Sequence, residues 1–260
     1  MPYSGAVFDA HVHVIDPRFT LVPNDGYLPD PFTVADYLHR VRPLNLIGGA
    51  IVSGSFQAFD TDYLVDALHR LGPGFVGVTN LRLDAPDALV QRLDDAGVRA
   101  VRVNLYRGGS ATLDDLQALA HRVHDLVGWH TELYLDASDL PDLEPVLAHL
   151  PHIAIDHLGL RDDPTGALLR LVERGAVVKA TGLGRIRHRD PGAVARAVLA
   201  ANPAGLVFGT DLPSTRAATP YTHDDLDTIV DWLDPAQIDA VTHGNAQRLY
   251  RTHVQPRDSQ

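Results

Sequence analysis

Two histidines one residue apart, His11 and His13, offer the first chemistry in this chain. On a strand, residues i and i+2 face the same side, so both imidazoles can point into one site as metal ligands or hydrogen-bonding groups. With 14 histidines in 260 residues the spacing alone is weak, and its place in the fold must carry the argument. A third imidazole, His157, follows Asp156 at the end of another apolar run. Asp211 closes the last such run, in Gly209-Thr210-Asp211-Leu212-Pro213. A carboxylate buried among histidines is costly unless it is paired or used, which marks Asp211 as functional. Asp156 reads as a supporting or capping group beside His157. Three imidazoles and one carboxylate can hold a single Zn²⁺ and leave room for water. The same four groups can instead work without metal, as a base and a set of hydrogen-bonding partners.

Arginines lie near the same places. Arg102 and Asn104 share a strand face, Arg185 follows Gly182-Leu183-Gly184, and Arg216 lies just past Pro213, with Arg107 also nearby. A planar guanidinium grips a carboxylate through two parallel hydrogen bonds, which lysine cannot do. Three arginines at strand ends therefore predict a small anionic substrate.

The elements that must position these residues alternate. Short apolar, β-branched runs occupy residues 6–15, 49–55, 75–81, 100–106, 131–137, 152–159, 176–182 and 206–212. Amphipathic stretches lie between and after them, at 33–42, 60–71, 85–96, 113–127, 140–150, 165–174, 191–201 and 224–233. Thr112 and Asp190 precede two of these as N-caps, and Pro191 suits a first helical turn. Gly72-Pro73 and Gly97 close others. Eight strand–helix pairs predict an α/β fold, a single (β/α)₈ barrel over residues 1–260 with a polar tail from about residue 252. A doubly wound open sheet is the competing architecture. No Gly-x-Gly-x-x-Gly follows the first strand, so a dinucleotide site lacks its sequence signal. In a barrel, functional residues sit at the C-terminal strand ends, where all the groups above fall.

Composition narrows the classes further. The net charge of −11 argues against nucleic-acid or anionic-membrane binding. There is no cysteine, which excludes disulfides, thiolate metal sites and cysteine nucleophiles. No signal-peptide pattern or 18-residue apolar stretch is read, so a cytoplasmic enzyme is expected. The one lysine, Lys179, shares a strand face with Thr181 and reads as neutralising a buried acid rather than as catalytic. Trp129 and Trp232 are expected to pack outside the barrel, and His121 and His124 to face solvent.

Taken as a set, four blocks resemble the amidohydrolase superfamily, in the branch termed amidohydrolase 2: residues 9–13, 156–159, 209–213 and 245–250. Within it the chain is similar to the 2-pyrone-4,6-dicarboxylate lactonases and related lactonases, through residues 26–29, 100–104, 128–134 and 139–141. The resemblance runs from about residue 7 to 251. It implies a hydrolase that opens a lactone without a required cofactor. Asp211 would take a proton from water, while His11, His13 and His157 polarise the carbonyl. It also implies substrate-binding roles for Arg102, Arg185, Tyr27, Tyr134 and a position near Ser55. The chain departs from the two-metal members, which use a lysine on strand four and a histidine on strand five. Arg216 stands where the lactonases carry a neutral polar residue, and Gln57 and Phe59 also depart from them; these differences imply a changed substrate. The alternatives are a mononuclear Zn²⁺ enzyme, either a sugar-type lactonase or an aromatic-acid decarboxylase, and a barrel that binds an anion without turnover.

Overall fold

A computed structural model describes residues 2–108, 110–163 and 165–252. Apart from Thr252, the expected polar tail lies outside the described residues. The apolar runs form eight strands: β1 (Ala6–Val12), β2 (Asn45–Val52), β3 (Phe75–Thr79), β4 (Val98–Asn104), β5 (His130–Tyr134), β6 (Ile153–Ile155), β7 (Val177–Ala180) and β8 (Leu206–Phe208). Each pairs in parallel with the next in chain order. Parallel neighbours need a crossover, and helices supply it: α1 (Val34–Arg40), α2 (Asp62–Leu71), α3 (Asp87–Asp95), α4 (Leu113–Val127), α5 (Leu140–Leu147), α6 (Ala167–Glu173) and α7 (Pro191–Ala201). A further helix, α8 (His223–Asp231), follows β8. The fold is a (β/α)₈ barrel. Thr112 and Asp190 cap α4 and α7 as their side chains predict, each accepting a backbone N–H three residues on.

Two apolar layers form. Outward-facing strand residues such as Ile51, Val101, Val103, Leu133 and Val178 pack with the helices in one cluster that includes Trp129. Inside the barrel, Phe8, Ala10, Ala50, Val52, Val76, Val78, Ala100 and Val207 fill the lower half together with Ala246 and Tyr250. Those last two lie on and just past α9 (Asn245–Leu249), which follows a π-helical turn at Ala240–Gly244. This helix is absent from the sequence reading, because five residues carry too little periodicity to stand out. It plugs the barrel floor, where the Tyr250 ring stacks on Phe8 at 5.8 Å.

The rim is where site and barrel closure coincide. β8 stops at Phe208, shorter than its apolar run, and the chain beyond it joins β1. Asp211 N donates to His11 O at 2.7 Å, and His13 N donates to Leu212 O at 2.8 Å. Asp9 fastens the same seam, accepting Thr210 N at 2.8 Å and Thr210 Oγ1 at 2.7 Å. β1 carries a register shift between Asp9 and Val12. An extra residue there re-aims the side chains beyond it, which lets His11 and His13 follow Ala10 into the interior.

His124 departs from expectation. It is half-buried, with its ring 5.3 Å from that of His152. His121 is exposed as expected.

Candidate active site

Asp211 and His157 leave their strands through left-handed backbone, with φ of 59° and 54°. Non-glycine residues occupy this region rarely and at some cost, so the fold holds both side chains against local preference. The result is convergence. Asp211 Oδ1 lies 3.8 Å from His11 Nε2, 3.7 Å from His13 Nε2 and 3.9 Å from His157 Nε2, all buried. The other oxygen, Oδ2, accepts Arg185 Nε at 2.8 Å and Nη2 at 2.5 Å.

Each imidazole is braced at its far nitrogen. His13 Nδ1 donates to Val52 O at 2.7 Å, a carbonyl that can only accept, so its Nε2 carries a lone pair when the ring is neutral. His157 Nδ1 sits 2.8 Å from Thr181 Oγ1, which can give or take the proton. His11 Nδ1 faces Asp156 Oδ1 at 3.3 Å. Burial, aided by the positive charge nearby, keeps His13 and His157 well below the usual histidine range, so both rings are neutral.

A charge-balanced layer lies beneath. Arg102 donates to Asp156 Oδ2 through Nε at 3.2 Å and Nη2 at 2.9 Å, and to Ser53 O through Nη1 at 3.0 Å. Lys179 donates to Glu132 Oε2 at 2.5 Å. Together with Arg185–Asp211, three buried cations face three buried carboxylates. Burial pushes the Glu132 carboxyl up, but Lys179 and His130 together outweigh it and hold it down to about 2. Asp156 resists the same push and lies well below the carboxylate range because His11, Lys179 and Arg102 surround it.

Above this layer opens a cavity of about 440 Å³ including its mouth. Of the residues expected to bind substrate, Arg102, Arg185, Tyr27, Tyr134, Ser55, Asn104 and Arg216 all line it, as do His13 and His157. His11 and Asp211 lie immediately behind. Arg107 lines it too, so four arginines face the space while, among the described residues, no aspartate or glutamate does. They are not equivalent. Arg102 and Arg185 are largely committed to Asp156 and Asp211. Arg216 stacks 4.4 Å over the Tyr27 ring and donates to Asn24 O, with no carboxylate partner among the described residues. The Asn104 amide oxygen accepts Arg107 N at 2.8 Å and so shapes the rim loop. Gln57 turns inward to brace its own turn, donating to Val14 O and accepting Gly54 N, and Phe59 is on the surface; neither lines the cavity.

The sequence reading missed Glu132, although it shares the inward face of β5 with Tyr134 at the spacing that paired His11 with His13. Asn24, Phe56 and Thr215 gave no signal, since loop closure alone brings them to the cavity.

The donor set suits one tetrahedral cation. Among the described residues His11 Nε2 and Asp211 Oδ1 are buried without a hydrogen-bond partner, and the ligand atoms of His11, His13 and Asp211 lie within 4.8 Å of one another. The same unpaired atoms equally suit a water molecule and a carbonyl group brought by a substrate.

The family model described as Amidohydrolase matches residues 8–252. A 2-pyrone-4,6-dicarboxylate hydrolase from Comamonas testosteroni is 33% identical over 168 residues, covering 63% of this chain and 54% of that protein. The match thus spans about half the length of that curated relative. A D-galactarolactone isomerase from Agrobacterium fabrum is 26% identical over 247 residues, covering 85% of this chain and 81% of that protein. Among solved structures, one from Pseudomonas putida described as a 2-pyrone-4,6-dicarboxylic acid hydrolase superposes with a TM-score of 0.78. It is 26% identical, with 96% of this chain and 98% of that one covered.

Proposed function

The chain belongs to the amidohydrolase family, and from that premise we propose that it is a hydrolase that opens a small anionic lactone. The observation that carries the reading is the cavity: among the described residues four arginines and no acid line it, above a carboxylate oxygen surrounded by three imidazoles. In a protein of net charge −11 this is a local inversion of sign, and it selects an anion. The likeness to a pyrone-dicarboxylate hydrolase and a lactone isomerase points the same way.

The chemistry follows from which atoms remain free. Water donates one proton toward Asp211 Oδ1 and the other toward the His13 Nε2 lone pair, which fixes its oxygen for attack. As the oxygen bonds to the lactone carbonyl carbon, Asp211 takes the proton. Thr181 can donate to His157 Nδ1, which leaves His157 Nε2–H to stabilise the carbonyl oxygen as it gains charge. The ring C–O bond then breaks and the departing oxygen recovers the proton from Asp211. The product is a hydroxy acid or its keto tautomer. Arg216, Arg107 and the uncommitted N–H groups of Arg102 and Arg185 hold the substrate carboxylate. No cofactor is needed for these steps. If one Zn²⁺ is bound, His11, His13, His157 and Asp211 would hold it, and it would supply Lewis-acid polarisation of the carbonyl.

A panel of lactones with and without carboxylate, read by a pH indicator with and without chelator, tests the proposal. Acid release from anionic lactones that survives chelation supports it. Loss of all turnover on chelation, with about one zinc per chain by elemental analysis, would replace it with the zinc form. The isomerase likeness favours one second reading, in which a hydroxyl of the substrate takes the place of water. NMR would then show a new lactone of unchanged mass and no acid release.

A further inference from the structure

The chain's one lysine lies at the centre of the barrel. Lys179 is fully buried, with Nζ 2.5 Å from Glu132 Oε2, 3.1 Å from Ala10 O and 3.5 Å from Asp156 Oδ1. Below it, Tyr250 Oη donates to Glu132 Oε1 at 2.6 Å, and His130 Nε2 lies 3.3 Å from the same oxygen. Buried ion pairs seldom stabilise a fold better than apolar residues of the same volume. An apolar pair would fill this space, so the charges call for another purpose.

That purpose lies one layer up. An ammonium has three hydrogens; Glu132 Oε2 and Ala10 O accept two, and the third faces both Asp156 Oδ1 at 3.5 Å and His11 Nδ1 at 3.4 Å. Arg102 takes Asp156 Oδ2, so Oδ1 is left between Lys179 Nζ and His11 Nδ1. His11 Nδ1 thus faces a carboxylate that only accepts and an ammonium that only donates; with two closer oxygens already holding Lys179, the slightly shorter contact to Asp156 favours a hydrogen on Nδ1. We propose that Lys179 and Glu132 are positioning residues: together with Arg102 they clamp Asp156, and Asp156 fixes His11 with its hydrogen on Nδ1 and its Nε2 lone pair toward Asp211. Nε2 is 3.8 Å from Asp211 Oδ1, and both atoms are without a hydrogen-bond partner among the described residues. The device presents a second imidazole acceptor, beside His13 Nε2, for the one water hydrogen that Asp211 does not take. Its kinetic consequence rests on the hydrolase reading; its structural content does not.

The test is therefore spectroscopic first. Protein labelled with ¹⁵N-histidine, in long-range ¹H–¹⁵N correlation spectra, distinguishes the two tautomers, and His11→Gln assigns the signal. The wild type should show His11 as the Nδ1–H form, and Asp156→Asn should show a mixture. Lys179→Met strands Glu132 and can unfold the chain, so the clamp is tested with Lys179→Met/Glu132→Gln, which removes both charges. That variant should fold by circular dichroism, show the mixed tautomer and, on any lactone the wild type opens, lose at least tenfold in kcat with KM within threefold. His11 carrying its hydrogen on Nε2 in the wild type would overturn the proposal. So would a folded double variant with the wild-type spectrum. If no lactone is turned over, the hydrolase reading fails while the spectra still decide this one.

Discussion

Arg185 grips one oxygen of Asp211 and leaves the other to the histidines. Oδ2 takes both guanidinium contacts, and Oδ1 points at three Nε2 atoms between 3.7 and 3.9 Å away. A base must be held firmly without having its reactive lone pair occupied, and this division does both. Asp211→Asn keeps an oxygen for Arg185 but cannot take a proton. It should lower kcat by about 10²–10⁴-fold, the usual worth of a positioned base, and, because it strands the buried Arg185 charge, lower the melting temperature by several degrees. Retention of near-full kcat would remove Asp211 from the chemistry.

Arg216 bears on which anion is chosen. It has no carboxylate partner among the described residues and is fixed by Tyr27 and Asn24 at the cavity mouth. Arg216→Gln should raise KM for carboxylated lactones by roughly tenfold, the value of a charge-assisted hydrogen bond. KM for an uncharged lactone should hardly change. Steady-state kinetics on the two substrates decides it, and an equal effect on both would make Arg216 a loop staple only.

Much of this was legible in the sequence, for a physical reason. Side-chain period and strand order are local properties, and together they place His11, His13, His157 and Asp211 on one rim. What could not be read was how the charges pair. Arg102 looks like a substrate ligand by spacing, yet Asp156, 54 residues away, claims its Nε and Nη2. Asp156 reads as a supporting or capping group, but which groups it supports could not be read, because its partners come from β1, β4 and β7 and only barrel closure brings them together. α9 was invisible for the complementary reason: its role is to plug, and a plug needs one tyrosine rather than a repeating face.

The buried Glu132–Lys179 pair sets an acid limit on the fold. The Glu132 carboxyl lies near 2 in the folded protein against an ordinary value of 4.5. A depressed carboxyl contributes stability above its unfolded value and loses it as pH falls through the folded one. Stability should therefore be lost progressively as Glu132 takes up a proton between about pH 4.5 and 2. Burial raises the Asp9 carboxyl despite its hydrogen bonds, so Asp9 works in the opposite sense. Chemical denaturation from pH 7 to 3 should show a shallower loss of stability in Lys179→Met/Glu132→Gln than in wild type. Parallel pH profiles would show that the pair does not set the limit.

Gly182 is where backbone freedom and the site's packing meet. Its φ is +59°, and a Cβ there would stand 2.8 Å from His157 Nδ1, 2.9 Å from Asp211 Oδ2 and 3.0 Å from Arg185 Nε. Real Cβ atoms do not approach so closely, so one methyl group must push apart three groups that hold the base and its imidazole. None is a free side-chain end: His157 is tied to Thr181, and Arg185 to Asp211 and Thr215. The left-handed backbone adds about 1 kcal/mol for a residue other than glycine. Gly182→Ala should thus cost at least tenfold in kcat and lower the melting temperature by several degrees, with Arg185 displaced from Asp211 in a crystal structure of the variant. Full activity together with an undisturbed Arg185–Asp211 contact would mean that the site tolerates the shift, and that the close approach at Gly182 does not fix the base.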